Sequence, residues 1–202
     1  MSNWWKNTNA IPLENKAFQK IIKFYLFECP VVTVTKNKNT NEITKKHVSA
    51  RGTPLERRGW SGPALNTLLA AMKRISTSEM KYITVNSESD LGEVVDNEER
   101  NSVLKLPHFE LIAFKEISGL GKTKSILYMI RNAFAHGSFS VENVDGQHIY
   151  CLESAKDGSL RARMRLREET LLEWMKLIEM PVGDAKTYQT KNRKRQKDGI
   201  AL

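Results

Sequence analysis

Ser125-Ile126-Leu127-Tyr128-Met129-Ile130-Arg131-Asn132-Ala133-Phe134-Ala135-His136-Gly137 is the stretch on which the reading of the whole chain turns. Ile126, Ile130, Ala133 and Phe134, with Leu127 beside them, recur at three- and four-residue steps, which predicts the buried face of a helix. Gly137 supplies a stop, because glycine takes the left-handed conformation that often follows a helix end. The last turns of this apolar segment carry Arg131, Asn132 and His136. Asn132 and His136 are four residues apart and share a face. Arg131 starts about 140° round from His136, yet its long side chain reaches back to a common edge.

On the upstream side, Phe109, Ile112, Ala113 and Ile117 are spaced as a buried stripe, predicting a helix over 107–117 that Ser118-Gly119-Leu120-Gly121 then breaks. On the downstream side the period shortens to two. Residues 148–153 and 160–166 alternate, and Lys156-Asp157-Gly158-Ser159 between them carries turn chemistry, which predicts a β-hairpin. Its second strand sets Leu160, Ala162, Met164 and Leu166 on one face and Arg161, Arg163, Arg165 and Arg167 on the other. A last helix follows over 168–180, with Leu171, Leu172, Met175 and Ile178 inward and acids in its first turn, where they suit the helix dipole.

The first hundred residues read less clearly. Leu13, Ala17, Ile21, Ile22 and Tyr25 predict a helix from Pro12 that ends near Cys29, ahead of Pro30. Residues 31–35 form a short β-branched run, and the polar 36–46 reads as a loop or hairpin tip. A second helix carries Leu65, Leu68, Leu69, Met72 and Ile75 on one face. Residues 82–85 read as a short strand and 87–100, polar and acidic, as a loop. The expected fold is therefore mostly α, with a small β-hairpin before the last helix. One domain covers 1–183, and 184–202 is a basic, flexible tail.

Composition narrows the field. Hydrophobic residues make up 40% and charged residues 27%, ordinary for a globular protein. There is no apolar run of membrane-spanning length and no signal-peptide pattern, so no membrane partner is expected. Cys29 and Cys151 read as reduced thiols in a cytoplasmic protein, and no Cys/His spacing suggests a metal site. The net charge of +9 points to a polyanionic partner, although much of the excess lies in the acid-free run 186–197.

Arg-Asn-x-x-x-His within Met129–Phe139 resembles the Arg-x(4–6)-His signature of the HEPN superfamily, over about residues 107–180. The resemblance implies a small helical bundle that dimerises with its motif helices face to face. It also implies a metal-independent endoribonuclease of the toxin–antitoxin or antiviral-defence kind, without cofactors, with RNA as substrate and an antitoxin or regulatory protein as a further partner. Other members of that superfamily have lost catalysis, which gives the alternative of a non-catalytic RNA- or protein-binding module. A homodimer would also cover Phe134 or Phe139, if the helix exposes them near its end.

RNA carries its own nucleophile, the 2′-hydroxyl beside each phosphate. A histidine with a pKa near 6.5 can take and give the protons, and a guanidinium can hold the crowded phosphorane. The catalytic residues expected are His136 as general acid–base, Arg131 as phosphate clamp and Asn132 as the group that orients either. The plainer reading has His136 capping the helix C-terminus and Arg131 paired with an acid. Arg161, Arg163 and Arg165 are candidate RNA contacts, or else a solvated strand face. Arg57 and Arg58 beside Trp60 combine charge with a stacking surface, although a tryptophan there also suits packing. Gly119-Leu120-Gly121-Lys122-Thr123 falls short of a phosphate loop, because Glu116 stands where the first glycine is required.

Overall fold

A computed structural model describes residues 14–37, 39–40, 42–48, 50–75, 80–102, 106 and 108–185. The basic run 186–197, Trp4, Trp5 and Pro12 lie outside the described residues. In chain order the elements are α1 (Lys16–Ile22) with a π-helical continuation Lys23–Glu28, β1 (Thr33–Lys36), β2 (Ile43–Lys46), α2 (Pro54–Arg57), α3 (Ala64–Ile75), β3 (Met80–Val85), α4 (Glu88–Ser102), β4 (Glu110–Lys115), α5 (Gly121–Ala135), β5 (Phe139–Val144), β6 (Gln147–Lys156), β7 (Ser159–Arg167) and α6 (Glu168–Glu179).

The chain is not a helical bundle. Five strands form a mixed sheet in the order β3-β4-β7-β6-β5, with β3 and β4 parallel and the other neighbours antiparallel, and β1–β2 is a separate hairpin. Two misread segments, together with the edge strand β5, unassigned from the sequence, account for the difference. Residues 107–117, expected as a helix, contain β4, near the middle of the sheet. Its residues from Glu110 to Phe114 are all buried, because both faces are covered: Ile112 and Phe114 point into the core beneath α5, while Leu111 and Ala113 point the other way. A strand covered on both faces shows no alternation, and its apolar run imitates a buried helix. Residues 87–100, expected as a loop, form α4. This helix connects parallel neighbours β3 and β4, and lies over β7 and β4; among its described side chains only Leu91 and Val95 are fully buried, against Phe109, Leu111 and Ala113. Two buried residues at i and i+4 suffice to seat a helix whose remaining surface is polar.

On the other face α1, α3, α5 and α6 pack with the sheet around one large core. Its aromatic residues are tied by their polar ends: Trp60 Nε1 donates to Ile178 O at 3.0 Å, Trp174 Nε1 to Met72 O at 3.0 Å and Tyr25 OH to Leu171 O at 3.0 Å. Buried indole and phenol groups keep their hydrogen bonds this way while their rings fill the core. Trp60 is thus packing. Ala185 is buried in the same core, so the folded unit reaches at least that residue. The predicted hairpin is present as β6–β7, joined at Asp157-Gly158, both at positive φ. Among the described residues no helix is long and apolar enough to cross a membrane.

Candidate functional site

Helix α5 runs with Ile126, Leu127, Met129, Ile130, Ala133 and Phe134 buried, as its periodicity predicts. It ends in a Schellman motif. His136 is the C-cap, Gly137 follows at φ +64°, Gly137 N–H donates to Phe134 O at 3.3 Å and Ser138 N–H to Ala133 O at 2.9 Å. Phe134 packs edge-on against Phe139 at 5.1 Å and belongs to the core, so this helix end has no bare aromatic for a partner to cover.

The side of α5 turned away from the core carries Tyr128, Arg131, Asn132 and His136, and all four line one cavity of about 810 Å³. The other walls come from β1 (Thr33, Val34, Thr35), from the end of β4 and the loop after it (Lys115, Glu116, Ile117, Ser118), and from the β6–β7 hairpin (Ser154, Ala155, Lys156, Arg161). The position follows from the topology. β4 ends where β7 begins, with Phe114 opposite Ala162, and β6 ends at the same edge with Lys156 opposite Ser159. Arg131 Nη1 donates to Asn132 Oδ1 at 3.1 Å, which fixes the guanidinium beside the amide. Tyr128 OH donates to Val34 O at 3.2 Å and ties the β1 wall to the helix. His136 is exposed at the cavity's helix side.

Charge in this cavity is one-sided. Among the described residues that line it, Lys115, Arg131, Lys156 and Arg161 stand with one carboxylate, Glu116, a net lining charge of about +3 before His136 is counted. A concave wall with one sign of charge focuses the field on an anion. Lys115, Glu116, Tyr128 and Lys156 were not legible as site residues, since only the fold gathers the strand ends against the helix.

Beneath the arginine lies Cys29. The π-helical run closes with Cys29 N–H donating to Phe24 O at 3.0 Å, and Cys29 sits at φ +49°. Its thiol lies against Arg131; burial pushes the thiol pKa up, and the guanidinium opposes the shift in part. Short π-helical segments are frequent beside functional sites.

The row of arginines on β7 divides. Arg163 and Arg165 are buried on the α4 side: Arg163 pairs with Glu153 and Asp96, each at 3.0 Å, and Arg165 pairs with Glu142 and lies over the Phe109 ring. Arg167 holds the fully buried Glu110, whose carboxyl burial pushes up while the Arg167 N–H and guanidinium oppose. Arg163 and Arg165 are therefore internal ion pairs, not an RNA-facing row. Arg161 alone of the row lines the cavity. Arg57 and Arg58 are exposed near α2 and are not among the residues lining the cavity; Arg57 Nη1 donates to Gly52 O at 2.9 Å.

Gly119–Thr123 does follow a strand and open a helix. Thr123 is nevertheless buried and donates its hydroxyl to Leu65 O at 2.8 Å, which removes the group a phosphate loop needs on magnesium. Among the described residues no three His, Cys, Asp or Glu side chains converge to hold a metal ion. No protein-family model, no curated protein and no solved structure matches this chain.

Proposed function

We propose that the cavity beside α5 is the active site of a metal-independent endoribonuclease that acts on single-stranded or looped RNA. The observation that carries this reading is the shared cavity: Arg131, Asn132 and His136 line it together with Lys115, Lys156 and Arg161. The helical bundle implied by the family resemblance is absent, so the reading rests on these side chains and not on ancestry.

The chemistry is transesterification. A base takes the proton of the 2′-hydroxyl, the oxygen attacks the adjacent phosphorus, and the 5′-oxygen leaves with a proton, giving a 2′,3′-cyclic phosphate and a 5′-hydroxyl. His136 supplies the proton carrier, being exposed to a substrate entering the cavity. Arg131 stabilises the charge that builds on the phosphorane, and Asn132 holds the Arg131 guanidinium in place. In-line attack puts the entering and leaving oxygens on opposite sides of phosphorus. A second proton carrier is therefore required, either Glu116 of the same cavity or His136 of a second copy in a two-fold dimer.

The test is a digest with purified protein in excess chelator. His136→Ala is expected to lower the rate about 10²–10⁴-fold and Arg131→Ala comparably, with a smaller loss for Asn132→Ala. Products end in 2′,3′-cyclic phosphate. A folded His136→Ala protein that cuts as fast as the parent refutes the assignment. The second reading is a non-catalytic RNA-binding module, favoured by the place of His136 as the C-cap of α5, where a histidine also serves the helix end. Binding without cleavage by the parent protein would establish it.

A further inference from the structure

Strict alternation along β7 would place Arg161 on the face of Arg163 and Arg165, over which α4 lies. It does not lie there. The pairing of β6 with β7 shifts between Ser154 and Ala155: Ser154 stands opposite Ala162, and Ala155 opposite Leu160, so Arg161 is the extra residue of a β-bulge. Leu160 consequently packs with the α4-side cluster of Leu91, Val95 and Phe109, while Arg161 lines the cavity on the α5 side. A bulge inserts one residue and re-aims a side chain, and bulges are over-represented beside active sites. Here it turns one arginine of the row into the basic cavity.

Lys156, at the end of β6, and Lys115, at the end of β4, reach the same cavity from neighbouring strand ends. The cations thus come in two groups on two elements: Arg131 with His136 on the helix, and Arg161, Lys156 and Lys115 on the sheet. We propose that the sheet group is a second phosphate subsite, so that the cavity grips a single RNA strand at two neighbouring phosphates, one held by α5 and the other by the bulge arginine. This rests on the nuclease reading only for which phosphate is cut; the two-phosphate grip is a statement about binding. A duplex displays its phosphates on a convex surface and does not enter a cavity of about 810 Å³, whereas an unstacked strand does.

The experiment uses dye-labelled 2′-O-methyl oligonucleotides, which lack the nucleophile and cannot be cut by this route, in anisotropy titrations with the full chain. Each phosphate neutralised on a single strand contributes about 0.7 to the slope of log affinity against log salt, or about fivefold in affinity at 0.1 M salt. A trinucleotide, with two phosphodiesters, is expected to bind about fivefold more tightly than a dinucleotide, with one, and a tetranucleotide little more tightly again. Arg161→Ala is expected to erase that gain and reduce the slope for the trinucleotide by about 0.7, leaving dinucleotide binding unchanged. Arg161→Gln, which keeps the stem as far as Cδ and a polar end without the charge, should do the same, and Arg161→Lys should retain most of the gain. A length gain that survives Arg161→Ala and Arg161→Gln overturns the subsite, as does equal binding of a hairpin duplex or the absence of binding by every oligonucleotide. The same proteins are then tested on unmodified RNA. Binding as described with no cleavage removes the nuclease reading and leaves the subsite standing; cleavage with no effect of Arg161 on binding removes the subsite alone.

Discussion

Arg163→Ala is expected to unfold this protein more readily and to leave the proposed RNA binding intact, the reverse of what the row of β7 arginines suggests. The Arg163 side chain is 5% exposed and its partner Glu153 is 14% exposed, so the substitution leaves a carboxylate largely out of water without its counter-charge. Breaking one side of a buried pair costs about 3–5 kcal/mol, and the residual exposure of Glu153 argues for the lower end, about 3 kcal/mol. The second partner, Asp96, is 45% exposed, and its loss adds about 1 kcal/mol or less. Together these give roughly 3–4 kcal/mol, or a fall in melting temperature of roughly 6–16 °C for a domain of this size. Thermal melts followed by circular dichroism measure it, alongside anisotropy titrations with a single-stranded oligonucleotide. Replacing the buried pair, in Arg163→Met with Glu153→Met, should recover most of the loss, because the charge then left without its partner, Asp96, is half in water. A melting temperature within about 2 °C of the parent, combined with RNA affinity lost as in Arg161→Ala, would refute the assignment of Arg163 to the interior.

Gly137→Ala places a Cβ at φ +64° in the Schellman turn and should cost on the order of 1 kcal/mol, with His136 displaced enough to lower cleavage further than the melt implies. Cys29 and Cys151 are both buried and the Cys29 thiol pKa is raised, so neither should react with a thiol reagent at neutral pH until denaturant is added; fast labelling of the native protein would contradict the packing around Arg131. Glu110 has its folded pKa raised above its ordinary value of 4.5, so the native state holds its proton more tightly, and this contribution to stability falls as pH rises from about 4.5 through the raised value. Denaturant titrations of the parent and Glu110→Gln across that window should show the parent's relative stability declining with pH, and a rising difference would reverse the sign. If Glu116 is the second proton carrier, a monomer by light scattering should cleave RNA and Glu116→Gln should slow it by about 10²-fold or more; activity that appears only in the dimer, unaffected by Glu116→Gln, assigns the second proton to the partner's His136.

What could be read in the chain depended on whether each segment has one wet face. Helix α5 has one and stands where its period indicates; β7 lacks one from Ala162 to Leu166, but its alternating buried arginines imitate one, so the β6–β7 hairpin was readable except where its register slips at Arg161. The face of Tyr128, Arg131, Asn132 and His136 was half legible for the same reason: the three polar residues interrupt an apolar helix, and polar side chains there must find either partners or a cavity. β4 failed the test because sheet neighbours, α5 and α4 cover it on every side, so nothing in Glu110–Lys115 alternates. α4 failed it from the other direction, since Leu91 and Val95 are too few to raise a period above a polar background.

The arginines of β7 show a limit of a different kind. Alternation assigns Arg161, Arg163, Arg165 and Arg167 to one face, and for Arg163 and Arg165 it is right about the face and wrong about its surroundings, because an acidic helix and acidic strand neighbours supply Asp96, Glu142 and Glu153 as partners. For Arg161 it is wrong about the face itself. A one-residue bulge inverts everything on its far side, as any slip in a period-two element must. The same slip sends Leu160 into the α4-side core and so is held in place by burial of an apolar side chain. The cation that lines the cavity is thus positioned by a leucine that does not. Leu160→Ala, which weakens that anchor without touching the cavity, should therefore loosen the grip on a trinucleotide while leaving dinucleotide binding near the parent's. If Leu160→Ala changes neither, the bulge is fixed by something other than this packing.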